Sequence, residues 1–212
     1  MDKAARKGHP TIGDVMSILV IALIVAGCTT SDPAQKSARM EVQEDVGFVI
    51  TEEARISNTA RADYEEAMHL LSLGRNAEGM ALLAQAAEEA PQVAAPRIDL
   101  GIAHHRAGDL AAAEEQLRKA LEINPDHPVA YNELGIVYRK SGRFADARRS
   151  YESALAIYPG FHFARRNLAI LCDLYLADLK CALQQYGAYL ETAPDDEEAA
   201  MWLADVRNRM AQ

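Results

Sequence analysis

The chain contains three cysteines and six histidines, the residue types that most often ligate transition metals. His104 and His105 are adjacent, and neighbouring residues of a helix point about 100° apart, so the two imidazoles cannot easily share one metal ion. The sequence has no HExxH motif, no GxSxG motif and no glycine-rich phosphate loop. We therefore predict no metal site, no cofactor and no enzymatic activity.

Cys28, the first of the three cysteines, ends an N-terminal segment with the composition of an export signal. Basic residues precede an apolar run from Val15 to Val25, which is too short for a membrane-spanning helix of about 20 residues. The ending Val25-Ala26-Gly27-Cys28 resembles the lipobox of bacterial lipoproteins. The resemblance implies that residues 1–27 are a signal peptide that is removed and that the thiol of Cys28 is acylated.

This resemblance also implies a location and a tether. Thr29, rather than an aspartate, follows the cysteine. By the rule of the family this implies an outer-membrane lipoprotein facing the periplasm in a Gram-negative cell envelope. Residues 28–45 are expected to be the lipidated cysteine and a flexible tether. An ordinary signal peptide with a chance cysteine, or an uncleaved anchor, is the alternative.

The overall composition favours helices and excludes one class of partner. Half of the residues are hydrophobic and only 6% are aromatic, which suits closely packed helices better than a sheet. The formal net charge of −9 makes general affinity for nucleic acid unfavourable. We expect no nucleic-acid partner, and contact with the membrane through the lipid anchor only.

A repeat of 34 residues organises the rest of the chain. Prolines recur at Pro91, Pro125 and Pro159, and glycines at Gly74, Gly108 and Gly142, with this spacing. The pattern resembles the tetratricopeptide repeat, a helix-turn-helix unit in which small residues let two helices approach and the glycine ends the first helix. A generic helical bundle with accidental spacing is the alternative.

The resemblance implies an all-α solenoid of about four repeats with a C-terminal capping helix. The predicted units are residues 60–93, 94–127, 128–161 and 162–196, the last with one inserted residue. Residues 46–59 are expected to pack on the first repeat as a segment or helix, and residues 197–212 to form the capping helix.

In the tetratricopeptide-repeat family, the first helices of successive units line a concave, peptide-binding face. Carrying its groove positions onto this chain gives an interleaved set of basic, polar and apolar residues, namely Arg61, Tyr64, Met68, Ile98, Ile102, His105, Arg106, Asn132, Ile136, Arg139, Lys140, Phe163, Arg166 and Ile170. Such a face suits an extended peptide that carries carboxylates. The alternative is that these are solvated helix ends and inter-repeat packing.

Cys172 and Cys181 are expected late in the first helix and early in the second helix of the fourth repeat, where antiparallel segments face each other. Export would place them in an oxidising space, so we predict a disulfide between them. Two buried free thiols are the alternative.

These observations together predict a lipid-anchored periplasmic adaptor that binds a partner protein or peptide within an envelope assembly. A pilotin-like factor, or another factor for outer-membrane, secretion or pilus assembly, is the alternative. A regulator of murein enzymes is a further one.

Overall fold

The computed structural model describes residues 39–43, 47–52 and 56–212. The predicted signal peptide, Cys28 and most of the predicted tether lie outside the described residues. Within them, the chain forms α1 (Asn58–Ser72), α2 (Asn76–Glu89), α3 (Ala95–Arg106), α4 (Leu110–Ile123), α5 (Pro128–Lys140), α6 (Phe144–Ile157), α7 (His162–Ile170), α8 (Leu179–Leu190) and α9 (Glu197–Met210). No helix among the described residues is long and apolar enough to span a membrane.

The helices form four antiparallel hairpins, α1–α2, α3–α4, α5–α6 and α7–α8, and α9 packs on the last of them. Each second helix also packs against the first helix of the next hairpin, so the hairpins stack in sequence order. The predicted all-α solenoid with a capping helix is confirmed.

Glycines occupy the two kinds of position that this stacking requires. Gly74, Gly108 and Gly142 have φ angles of +75°, +86° and +74°, the left-handed conformation that ends the first helix of a hairpin. Gly135 lies where α5 and α6 approach closely. A Cβ atom there would be 2.4 Å from the ring of Tyr151, which is fully buried.

The fourth hairpin departs from this pattern at the residue inserted there. A π-helical turn, Leu171–Tyr175, continues α7 and accommodates the extra residue. The left-handed position at the end of the helix is then taken by Ala177 (φ 51°), one residue later than the 34-residue spacing from Gly142 would place it. The insertion therefore changes the hairpin turn and leaves the stacking of α7 and α8 intact.

A two-stranded antiparallel hairpin, β1 (Arg39–Gln43) and β2 (Gly47–Thr51), precedes the first repeat. The strand β1 lies within residues 28–45, for which the sequence predicts a flexible tether, and β2 lies within residues 46–59, for which it predicts a segment or helix. On β1 the apolar residues Met40 and Val42 alternate with polar ones, and the register pairs them with Ile50 and Phe48 of β2. This period of two favours a strand over a helix.

Candidate peptide-binding face

The inner face of the solenoid is formed by the first helices of the hairpins. The helices α3, α5 and α7 contact one another in succession, in addition to their contacts with the second helices. On the opposite side, α4 and α6 diverge and leave an open cleft of about 590 Å³ between them. Because the first helices lie close together and the second helices lie apart, the face formed by α1, α3, α5 and α7 is the concave one.

Three predicted groove residues are not accessible from this face. Ile98 is fully buried, Asn132 is 4% exposed and Tyr64 is 9% exposed, because adjacent first helices close over the fifth position of the repeat. Their assignment to the groove surface is corrected: they hold the first helices together. The other eleven predicted groove residues are partly buried or exposed, namely Arg61, Met68, Ile102, His105, Arg106, Ile136, Arg139, Lys140, Phe163, Arg166 and Ile170.

A basic cluster lies where α3 and α5 end, and consists of His105, Arg106, Arg139 and Lys140. Burial lowers the pKa of the His105 imidazole, and the nearby charges of Lys140, Arg106 and Arg139 lower it further. Within the described residues, the buried Nε2 of His105 and Nε of Arg139 have no hydrogen-bond partner. The cluster thus presents positive charge to the concave face, beside helix C-termini that favour cations.

Beneath the cluster lie two carboxyl groups that sequence reasoning missed. Burial raises the pKa of Asp99 to about 6, against the opposing effects of a hydrogen bond from Tyr64 and the charge of Arg106. Burial raises the pKa of Glu133 to about 7, opposed by a hydrogen bond from Asn132 and again by Arg106. The two residues are 34 positions apart, so the repeat period relates them and could have drawn attention to the pair.

Polar contacts join these groups along the inner helices. Tyr64 Oη donates to Asp99 Oδ2 at 2.6 Å, and Asn132 Nδ2 donates to Glu133 Oε1 at 3.0 Å. Asn167 Nδ2 donates to Asn132 Oδ1 at 3.0 Å. Buried polar groups that are paired in this way help to specify one arrangement of the helices.

Arg166, in contrast, is already engaged by the capping helix. Its Nη2 lies 3.1 Å from Glu198 Oε2, its Nε lies 3.6 Å from Asp196 Oδ2, and its guanidinium lies over the ring of Trp202 at 5.1 Å from the centroid. A neutralised and stacked guanidinium is a poor site for a further carboxylate. The basic stripe predicted from the sequence is therefore concentrated at the ends of α3 and α5.

The π-helical turn adds aromatic surface next to this cluster. Tyr175 is 42% exposed, packs on Phe144 with 5.0 Å between ring centroids, and accepts a 3.4 Å hydrogen bond from Arg139 Nη1. Leu174, the next residue back, is 68% exposed. The concave face therefore borders an apolar and aromatic edge at the fourth repeat.

Cys172 and Cys181 are joined by a disulfide, with their Cα atoms 5.8 Å apart. Asp178 lies beside them, and the three potential ligand atoms are within 4.8 Å of one another. The two sulfurs are bonded to each other and offer no thiolate, so this group does not form a metal site in the oxidised protein. His104 Nδ1 lies 3.9 Å from Asp109 Oδ2 near the end of α3. This contact belongs to the end of the helix and is not a set of metal ligands.

Comparisons with known proteins agree with this architecture. The tetratricopeptide-repeat family profile matches residues 70–135 and 105–165. Among curated protein sequences, none matches the chain.

Three solved structures illustrate the likeness of fold. MamA from Desulfovibrio magneticus RS-1 is 20% identical over 74% of this chain and 88% of its own, with a TM-score of 0.66. The PilF protein of Pseudomonas aeruginosa is 19% identical over 72% of this chain and 69% of its own, with a TM-score of 0.65. The first tetratricopeptide-repeat domain of Spaghetti (RPAP3), bound to the HSP90 peptide SRMEEVD, is 21% identical over 57% of this chain and 95% of its own, with a TM-score of 0.55.

Proposed function

We propose that the chain is a lipid-anchored adaptor whose concave face binds an extended acidic peptide of a partner protein. Its helical hairpins are tetratricopeptide repeats, a fold of protein–protein interaction. The observation that carries this proposal is the basic cluster at the ends of α3 and α5. The chain as a whole is acidic, with a net charge of −9, so cations gathered on one face are a specific feature.

The chemistry of the cluster fits carboxylates better than other groups. Arginine presents a planar fork that can bind a carboxylate through two hydrogen bonds, and Lys140 adds an exposed ammonium group at the rim. Ile102 and Ile136 lie one turn earlier on the same helices and are partly buried, which leaves apolar surface for the intervening side chains of a peptide. In the similar fold of Spaghetti, the bound peptide SRMEEVD is itself rich in acidic residues.

Fluorescence anisotropy with a labelled SRMEEVD peptide and the full chain in mild detergent tests the groove directly. We expect saturable binding that weakens with salt, and at least a tenfold loss (about 1.4 kcal/mol) in Arg139→Glu/Lys140→Glu. The matched control is Lys119→Glu/Arg207→Glu, which reverses two exposed charges outside the cluster. Equal loss in both double variants, or binding unaffected by Arg139→Glu/Lys140→Glu, would refute the groove.

The anchor is the second part of the proposal and is tested separately. Cys28→Ser should leave unprocessed precursor and abolish incorporation of radiolabelled palmitate, because the acyl chains are expected on this one sulfur. Several acyl chains on a cysteine would make anchoring stable, where a single chain holds a protein only marginally. Palmitate labelling that survives the substitution would remove the lipoprotein assignment, whatever the outcome for the groove.

A further inference from the structure

An arginine fills the outer junction between the second helices of the first two repeats. Arg97 of α3 points between α2 and α4, where its Nη1 donates to Gln116 Oε1 at 3.3 Å. Its Nη2 donates to the carbonyl of Ala87 at 3.4 Å and pairs with Glu88 Oε1 at 3.2 Å. The guanidinium therefore bridges the two second helices on the convex side.

The junction between α6 and α8 has a related arrangement, in which the carbonyl acceptor belongs to the loop that follows α6. Arg165, two repeat lengths after Arg97, donates from Nη1 to Gln185 Oε1 at 3.3 Å and from Nη2 to the carbonyl of Pro159 at 2.5 Å. The same pair of residue types, an arginine from the first helix and a glutamine from the second, thus closes the second and the fourth repeat.

The third repeat lacks both members of this pair. Tyr131 stands where Arg97 and Arg165 stand, and Ser150 stands where the two glutamines stand. The consequence is the open cleft of about 590 Å³ between α4 and α6, whose lining includes both residues. Leu121 and Glu122, which correspond in the repeat to Ala87 and Glu88, also line it. The acceptors that hold the guanidinium of Arg97 are repeated here, without an arginine.

The charges around the cleft leave one group unpaired. Arg143 pairs with Glu114 and Asp146, each at 2.8 Å, Arg149 pairs with Asp146, and Arg118 lies 3.6 Å from Glu114. Glu122 makes no ion pair with any residue that the structure describes. Three arginines share the carboxylates of Glu114 and Asp146, so the six groups carry no net charge, and Glu122 is the carboxylate left without an ion pair among the described residues.

From this comparison of the repeats, we propose that the cleft between α4 and α6 is a second docking site, which receives an arginine side chain from a partner protein. The inserted guanidinium takes the place that Arg97 and Arg165 take in their own repeats. It meets the carboxylate of Glu122 and the carbonyl of Leu121, and lies against the ring of Tyr131. This convex site is separate from the concave groove of the proposed function and does not depend on it.

The walls favour arginine over lysine. A planar guanidinium can stack on a tyrosine ring while donating in its own plane, whereas an ammonium group cannot do both. Within the same cleft, the guanidinium of Arg143 already lies over Tyr138, 4.2 Å from the ring centroid. The small side chains of Ser150 and Ser153 leave the width that an incoming side chain requires.

The test uses the full chain in mild detergent with ¹³C-labelled tyrosine rings and N-acetyl-arginine amide as the probe. The ring signal of Tyr131, assigned with Tyr131→Phe, and that of Tyr138 should shift saturably. The neutral analogue N-acetyl-citrulline amide should produce no such shift. Shifts of Tyr64 alone, or no shift of either cleft tyrosine up to the solubility limit of the probe, would overturn the proposal.

Two variants locate the probe. Glu122→Gln should weaken binding about tenfold, because a charge-assisted hydrogen bond is lost. Tyr131→Arg/Ser150→Gln rebuilds the arginine–glutamine pair of the neighbouring repeats, so it should abolish the shift of Tyr138. Glu152→Gln, on α6 but outside the lining, is the control and should bind as the unaltered chain does.

If Tyr131→Arg/Ser150→Gln does not fold, as judged by circular dichroism, Glu122→Gln decides alone, and unchanged affinity there overturns the assignment. Sedimentation of the full chain distinguishes another occupant. A dimer that Tyr131→Arg/Ser150→Gln dissociates would mean that the arginine comes from a second copy of this chain, and the assignment to a different partner would be wrong.

Discussion

The phenol of Tyr64 donates a 2.6 Å hydrogen bond to the carboxylate of Asp99 and so ties α1 to α3 through a pair of buried side chains. Asn167 and Asn132 tie α7 to α5 in the same way. Both pairs are separated by 35 residues, so one relationship between neighbouring repeats is used twice. The concave face thus rests on polar contacts between repeats as well as on apolar packing.

We predict that Asp99 and Glu133 make the protein less stable as the pH rises from about 4 to about 8. Their pKa values in the folded state, about 6 and about 7, lie above the ordinary values of 3.8 and 4.5. In this pH window the folded state therefore binds more protons than the unfolded state does. The resulting stabilisation is fully present below the ordinary pKa values and is lost as the pH rises through 6 to 7.

Urea unfolding at pH 5 and pH 8 measures this effect. Between these pH values the unaltered chain should lose on the order of 4 kcal/mol more of its free energy of unfolding than Asp99→Asn/Glu133→Gln does. Burial lowers the pKa of His127 to about 3, which has the opposite sign, but this contribution is common to both proteins and cancels in the comparison. Parallel pH profiles would contradict the raised pKa values.

The repeat architecture could be predicted from the sequence because its signals are local and periodic. A proline or a left-handed glycine acts on its own backbone, so Gly74, Gly108 and Gly142 mark helix ends without knowledge of the tertiary structure. Ile98 is different, since its accessibility depends on how closely α3 approaches its neighbours. The register places it in the groove, but packing buries it completely.

Other features depended on contacts between distant residues. Arg166 fits the groove register, yet it pairs with Glu198 in a helix more than 30 residues later. The hairpin β1–β2 has only five residues in each strand, too few for its alternation to stand out from the polar segment before it. The spacing of the prolines shows the one-residue insertion in the fourth repeat. It does not show that a π-helical turn accommodates this insertion.

We predict that Gly135→Ala destabilises the protein by about 1–3 kcal/mol, although alanine is the better helix former. The added methyl carbon would lie 2.4 Å from the Tyr151 ring, so α5 and α6 would have to separate. Gly187→Ala is the matched control, because no atom outside its own helix lies within 4 Å of a Cβ there. That substitution should stabilise α8 by about 0.5–1 kcal/mol. Chemical denaturation of both variants provides the test, and two changes of the same sign would refute the close approach at Gly135.

We predict that Glu52 acts as the missing cap of α3. The helix has no side-chain cap of its own, and the buried carboxylate of Glu52 accepts hydrogen bonds from the backbone N–H groups of Ala94 (2.8 Å) and Ala95 (3.2 Å). Glu52→Ala should lower the free energy of unfolding by about 1–2 kcal/mol and speed hydrogen exchange at these two amides. Glu65→Ala, an exposed glutamate on α1, should change stability by less than about 0.5 kcal/mol. Unchanged exchange at Ala94 and Ala95 would exclude the capping role.

We predict that the disulfide between Cys172 and Cys181 stabilises the protein and restricts motion at the edge of the basic cluster. It closes a loop of nine residues in sequence separation, for which chain entropy gives a stabilisation of about 2–3 kcal/mol. The protein is unfolded and alkylated, which blocks any free thiol, and its intact mass is then measured before and after reduction. Reduction of the disulfide should add the mass of two hydrogens, and an unchanged mass would mean that both thiols were free.

The same bond should influence peptide binding through Tyr175. This residue lies in the π-helical turn that contains Cys172, and its ring is 5.6 Å from the guanidinium carbon of Arg139. Cys172→Ala/Cys181→Ala should therefore increase hydrogen exchange in residues 171–178 and weaken SRMEEVD binding by a few-fold, as should Tyr175→Ala with the disulfide intact. If Tyr175→Ala weakens SRMEEVD binding and Cys172→Ala/Cys181→Ala does not, the effect belongs to the ring, and the turn keeps its conformation without the bond. Exchange that increases throughout the fourth repeat would instead mean that the disulfide holds α7 against α8, because general loosening of the hairpin would extend beyond the turn.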